Sequence, residues 1–171
     1  MSGDDRRLAI VEEHVRLENG HDFPACLAVF DHARYEVVPT GEVFDGAEAV
    51  DGFLEQNRRA FPDFVFVTTR IAAAGDAVLV EGRFTGTQLG FWRGLPPTRR
   101  PVDFAMAIVF DFEGDRMVCE RVYFDLGAPL RQLGVAEEPF SLRGKVTLVL
   151  THPVVVFRAF VRGLPLRIRR R

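Results

Sequence analysis

The order of periodicities along the chain predicts an α+β fold. Three helix-like segments and one short strand fill the first sixty residues, and four long strand-like runs come after them at 64–74, 76–87, 101–112 and 116–125. Gly75-Asp76 and Glu113-Gly114-Asp115 read as tight turns joining neighbouring runs. Helices first and an antiparallel meander afterwards is the arrangement in which helices cover one face of a sheet.

From Asp4 to Asn19, Leu8, Val11, Val15 and Leu17 recur at roughly helical spacing, and Asn19-Gly20 supplies a stop. Asp22 can cap a second helix, with Pro24 in its first turn and an end near His32. Tyr35 to Val38 reads as a strand closed by Pro39, Thr40 and Gly41. The third helix, from Gly46 to Ala60, sets Val50, Phe53 and Leu54 against Glu48, Asp51 and Glu55, and Phe61-Pro62-Asp63 stops it.

Among the long runs, parity assigns faces. Phe104, Met106, Ile108, Phe110 and Phe112 share one side of the run 101–112, which should meet the helices. On the last run, Val118, Glu120, Val122 and Phe124 share one face, while Cys119, Arg121, Tyr123 and Asp125 share the other. Glu120 is therefore a carboxylate on an apolar side, where it must pair with a cation or work in a cavity. A β-bulge would reverse part of this assignment. Between the middle runs, residues 88–97 hold too much glycine and proline for a strand and form a loop centred on Phe91 and Trp92.

With 171 residues the chain fits one domain, 1–135, and a C-terminal extension, 136–171. Charge divides the same way: residues 1–135 carry 14 basic against 22 acidic side chains, and 136–171 carry 8 against 2. The acidic body makes nucleic acid a poor partner. Cys26 and Cys119 are too few for a disulfide framework, show no metal-ligand spacing, have no histidine close in sequence, and read as small core residues. The start of the chain is charged rather than basic and then apolar, so the expectation is a cytoplasmic protein.

Three motifs add a family to this reading: Ala60-Phe61-Pro62-Asp63; Gly86-Thr87-Gln88-Leu89-Gly90 with Gly94-Leu95-Pro96-Pro97-Thr98; and Tyr123-Phe124-Asp125 with Gln132-Leu133-Gly134 after it. In this order they resemble the SnoaL-like polyketide cyclases of the nuclear-transport-factor-2-like superfamily over about residues 5–135. The resemblance implies a cone of three helices closed by a curved, mainly antiparallel sheet, a pocket at one end, a homodimer formed through the sheet, and ring-closing chemistry without a cofactor. It also implies that Asp125 is the general acid/base. The family's strand histidine has no counterpart, since no histidine lies between His32 and His152; Gln88 comes after Gly-Thr where histidine is usual.

The candidate catalytic residues are accordingly Asp125 and Glu120, because a carboxylate in an apolar pocket holds its proton toward neutral pH. Asp125 equally suits the cap of the helix beginning at Leu126. Tyr123, Tyr35, Glu81, Arg83, Gln88 and Trp92 are candidate substrate contacts; for Glu81 and Arg83 cross-strand ion pairing is the alternative, and for the tyrosines a place in the core. No phosphate loop, nucleotide fingerprint, nucleophile elbow or metal cluster is present in the sequence. The expected function is acid/base chemistry (cyclisation, isomerisation, dehydration or hydrolysis) on a small apolar carbonyl compound or ester; the alternative is a binding or oligomerisation module. The extension, with Lys145 to Thr151 readable as strand or helix, Pro153 to Arg162 as an apolar helix, and arginines at 167 and 169–171, suggests a peripheral membrane contact through 145–171 or packing on the dimer.

Overall fold

The last strand of the chain, rather than an edge strand, lies near the middle of the sheet. In the computed structural model, which describes residues 2–138 and 140–163, six strands are ordered β2 (Glu42–Asp45), β1 (Arg34–Val37), β6 (Arg116–Phe124), β5 (Pro101–Glu113), β4 (Ala77–Thr87) and β3 (Val65–Ala74). All neighbours pair antiparallel except β1 and β6, which run parallel with Tyr35 opposite Glu120. The result is a curved, open, mainly antiparallel sheet.

Three helices cover its inner face. α1 (Gly3–Asn19) starts at a capping box in which Ser2 and Asp5 satisfy each other's backbone N–H groups. Asp22 caps α2 (Phe23–Leu27) through the Ala25 N–H, and α3 (Ala47–Ala60) buries Val50, Leu54 and Ala60. The core they close on contains Phe104, Ile108, Phe110 and Phe112, the bulky face that parity assigns to the helices.

Three local expectations change. α2 ends at Leu27 instead of continuing toward His32, and Phe30 instead bridges to Met117 of β6. Residues 42–45, assigned to no element from sequence, form β2, because the Thr40-Gly41 turn folds them back onto β1. Along β6, Phe112 faces Met117 while Asp111 faces Cys119, so Val118 is an extra, bulged residue. Upstream of it Met117, not Val118, points into the core; downstream, Glu120 and Val122 keep the inward side. A second irregularity, at Thr69 of β3, sharpens the curvature where Phe66 folds over Gly82.

The chain divides into two compact units, residues 1–133 and 134–171. In the first, α4 (Gly127–Gln132) comes directly after β6. In the second, α5 (Leu142–Thr151), capped by Ser141, settles the open choice at 145–151 in favour of helix. α6 (Pro153–Gly163) continues from it at an angle of 104°. Among the described residues no single helix is long and apolar enough to cross a membrane. The arginines at 167 and 169–171 lie outside the described residues.

Candidate active site

On α1, His14 and Glu18 are one turn apart and therefore share the helix face that Val11 anchors in the core. α2 brings Cys26 against that face. The parallel pairing of β1 with β6 adds Tyr35 and Glu120 side by side. Four elements thus converge on one imidazole.

The His14 Nε2–H donates to Glu120 Oε2 at 2.9 Å, and Tyr35 Oη lies 3.0 Å from the same nitrogen. Tyr35 Oη also lies 3.9 Å from Cys26 Sγ. Glu18 Oε2 sits 3.7 Å from His14 Nε2, so two carboxyl groups face one ring nitrogen. Phe30 and Phe110 meet the imidazole in T-shaped contacts, each with centroids 5.4 Å away. His14, Tyr35, Cys26 and Glu120 are all buried, whereas Glu18 keeps 24% of its side chain accessible.

Burial and charge divide the protons among these groups. Burial alone would lower the pKa of His14, but its bonds to Cys26 and Glu120 and the charge of Glu120 carry it well above the ordinary histidine value. Glu18 is pushed from 4.5 to about 8, first by burial and then by the Glu120 charge. Burial likewise raises the Tyr35 hydroxyl well above its usual value, and it raises the Cys26 thiol. At neutral pH the raised values leave His14 as an imidazolium, bonded to Glu120, beside a neutral Glu18. Two carboxyl groups held in different surroundings are how one site provides both a base and an acid.

The cluster forms the closed end of an apolar cavity. An inner lobe of about 60 Å³ is lined by Glu18, Tyr35 and Glu120 together with Phe64, Phe66 and Ile108. An outer lobe, also about 60 Å³, includes Phe61, Trp92, Arg93 and Phe124. Both share Phe53, Asn57, Phe84, Met106 and Val122. Beyond Asn57, Trp92 and Arg93 the outer lobe meets an open surface recess of about 590 Å³. The entrance is shaped by a tight hairpin in which Trp92 and Leu95 exchange backbone hydrogen bonds around Arg93 and Gly94, both at positive φ. Arg93 is tied across the entrance to Glu42 at 2.5 Å.

Of the residues singled out from sequence, Glu120 and Tyr35 lie at the closed end and Trp92 near the entrance. Asp125 does not line this cavity. Its carboxylate is exposed, accepting from the Gly127 N–H and from Arg131, each at 2.8 Å, and the guanidinium holds its pKa below the usual carboxylate range. Because the bulge lies upstream, at Val118, nothing turns Asp125 inward. Tyr123, Glu81 and Arg83 sit on the outer face of the sheet around a shallow groove, with Arg83 bonded to Asp103 at 2.6 Å and Glu81 4.0 Å from Arg70. Gln88 is buried but serves the loop: its Oε1 accepts from the Thr98 N–H and hydroxyl, and its amide donates to the Pro96 carbonyl.

Sequence reasoning passes over His14 and Glu18, although Val11, His14 and Glu18 recur at the same spacing that marks the buried face of α1. It also separates Cys26 from any histidine. The two are 12 residues apart in sequence, yet α1 and α2 pack together and set Cys26 Sγ 3.4 Å from His14 Nδ1. His14, Glu18 and Cys26 offer donor atoms within 4.8 Å of one another. The arrangement suits a metal poorly, because the sulfur is almost equidistant from the two ring nitrogens, at 3.4 and 3.7 Å. It therefore lies beside the ring and not along either lone pair.

The sequence profile described as SnoaL-like polyketide cyclase matches residues 9–133. No curated protein matches the chain significantly. Among solved structures, a candidate SnoaL-like polyketide cyclase from Jannaschia sp. superposes with a TM-score of 0.67 at 19% identity, covering 80% of this chain and 97% of that one. A protein of ketosteroid isomerase-like fold from Catenulispora acidiphila gives 0.63 at 22% identity, covering 74% and 93%. A nuclear-transport-factor-2-like protein of unknown function from Burkholderia pseudomallei gives 0.65 at 19%, covering 78% and 98%.

Proposed function

Since the chain belongs to the SnoaL-like polyketide cyclase family, we propose that it catalyses proton transfer on a small apolar carbonyl compound or ester bound in the interior cavity. Glu120 is the base and Glu18 the acid. The carboxylate of Glu120, fixed by His14, takes a proton from the carbon next to the carbonyl. As that C–H bond breaks, its electron pair moves onto the carbonyl oxygen, which receives a hydrogen bond or a proton from Glu18. Return of the proton at another carbon completes an isomerisation; attack of the enolate carbon on a second carbonyl completes a ring closure. The side chains of the chain itself carry every proton in this scheme.

The observation that carries the reading is the convergence of two carboxyl groups, at 2.9 and 3.7 Å, on one buried ring nitrogen at the end of an apolar cavity. Size narrows the substrate. Two lobes of about 60 Å³ each favour a small compound over a large one.

Deuterium uptake at carbon from heavy water, measured by NMR on a panel of small ketones, enones and lactones, tests the scheme on any compound that the cavity admits. Glu120→Gln should slow exchange about 10²–10⁴-fold, and Asp125→Asn should leave it within about twofold. Activity should fall as pH rises through about 8, where Glu18 loses its proton, and Glu18→Gln should remove that limb. Full activity in Glu120→Gln, or its loss in Asp125→Asn, would overturn the assignment. The family's missing strand histidine favours one second reading, a binding protein that retains the cavity; tight ligand binding without turnover in the wild type would support it.

A further inference from the structure

The family match ends at residue 133, and the chain beyond it has a chemistry of its own. From residue 139 to 171 the sequence holds eight Lys or Arg side chains and no Asp or Glu, whereas residues 1–135 are net acidic. Within the described part, α6 places Val154, Phe157 and Val161 at one helical spacing and Val156 and Phe160 at another, so that they cover a broad apolar arc. Phe157 and Phe160 are 68% and 70% exposed. Arg158 and Arg162, one turn apart, form a stripe on the other side.

We propose that this segment docks the protein on an anionic lipid bilayer, with α6 lying in the interface. Three observations select this occupant. The charge is of one sign, which complements an anionic surface and repels a second copy of the same segment. The apolar arc is built of Phe and Val, which partition into acyl chains and have no role against a phosphate backbone. As described, α6 alone is too short to cross: its 11 residues span about 16 Å, half of a bilayer core of about 30 Å, and α5 is bent from it by 104°. The acidic body is repelled from the same surface, so attachment is through the extension alone.

The test uses the full chain and sedimentation with vesicles of phosphatidylcholine, with and without phosphatidylglycerol, at low and high salt. The expected result is at least about tenfold stronger partitioning onto the anionic vesicles, reversed by salt. Phe157→Ser/Phe160→Ser and Arg158→Glu/Arg162→Glu should each weaken it at least about tenfold while leaving the circular dichroism of the body unchanged. Equal binding to neutral vesicles, wild-type binding by both variants, or resistance to alkaline extraction would each overturn interfacial docking. So would a dimer that the phenylalanine variant dissociates while the wild type ignores vesicles, which would make the occupant a second copy.

Discussion

Replacing Glu18 by glutamine should flatten the dependence of stability on pH. A carboxyl group whose pKa is higher in the folded chain binds its proton more tightly there. The stability it contributes is fully present below the unfolded value of 4.5 and is lost as pH rises through about 8. That interval corresponds to about 5 kcal/mol at about 1.4 kcal/mol per pH unit. Roughly a quarter of the Glu18 side chain faces the cavity and the interaction is shared with Glu120, so about 2 kcal/mol is the expected part. His14, also raised, acts in the same sense: its contribution is present below 6.5 and is lost as pH passes its higher folded value. The assay is urea unfolding between pH 5 and pH 9, monitored by fluorescence of the single tryptophan, Trp92, which is buried. Wild-type stability should decline across this range. In Glu18→Gln the decline should shrink to the share of His14, leaving the variant close to wild type at pH 5 and more stable at pH 9. Parallel curves for the two proteins would refute the placement of a neutral Glu18 beside Glu120.

Two further outcomes are expected. Gly82→Ala should lose about 1–3 kcal/mol in the same unfolding assay, because an added Cβ would come within 2.5 Å of both the Phe66 ring and the Val67 carbonyl oxygen; an unchanged midpoint would contradict that packing. The outer face of the sheet exposes Val67, Leu79 and Tyr123, and we propose that two copies pair through it; light scattering at micromolar concentration should give twice the chain mass, and Val67→Glu/Leu79→Glu should halve it.

The long strands are legible in the sequence because each alternates over ten or so residues, enough for one face to declare itself. β2 is not: four residues, Glu42 to Asp45, with charge at both ends, form a strand only because β1 is there to pair with. Glu120 stands out by its apolar neighbours Val118, Val122 and Phe124, even though the bulge at Val118 shifts one of those neighbours out of the core. His14 and Glu18 lie on the periodic face of α1, but a helix with charge on most sides hides a polar residue that faces inward. Asp125 owes its candidacy to a motif position. The motif fixes a place in the chain, whereas the direction of the side chain is fixed by register and by the competing bonds from Gly127 and Arg131.

The parallel pairing of β1 with β6 has a consequence for how the molecule is made. Residues 34–45 leave the ribosome some eighty residues before the strand that must lie beside them, and until it arrives β1 lacks its inner neighbour. During that interval His14 has no Glu120 to bond, and the interior that α1 and α3 are shaped to close stands open to other chains. Synthesis of the final strand is thus the event that completes both the sheet and the acid–base cluster. A chain interrupted before residue 120 would have most of the walls of the cavity, and Glu18 and His14, without the carboxylate of Glu120.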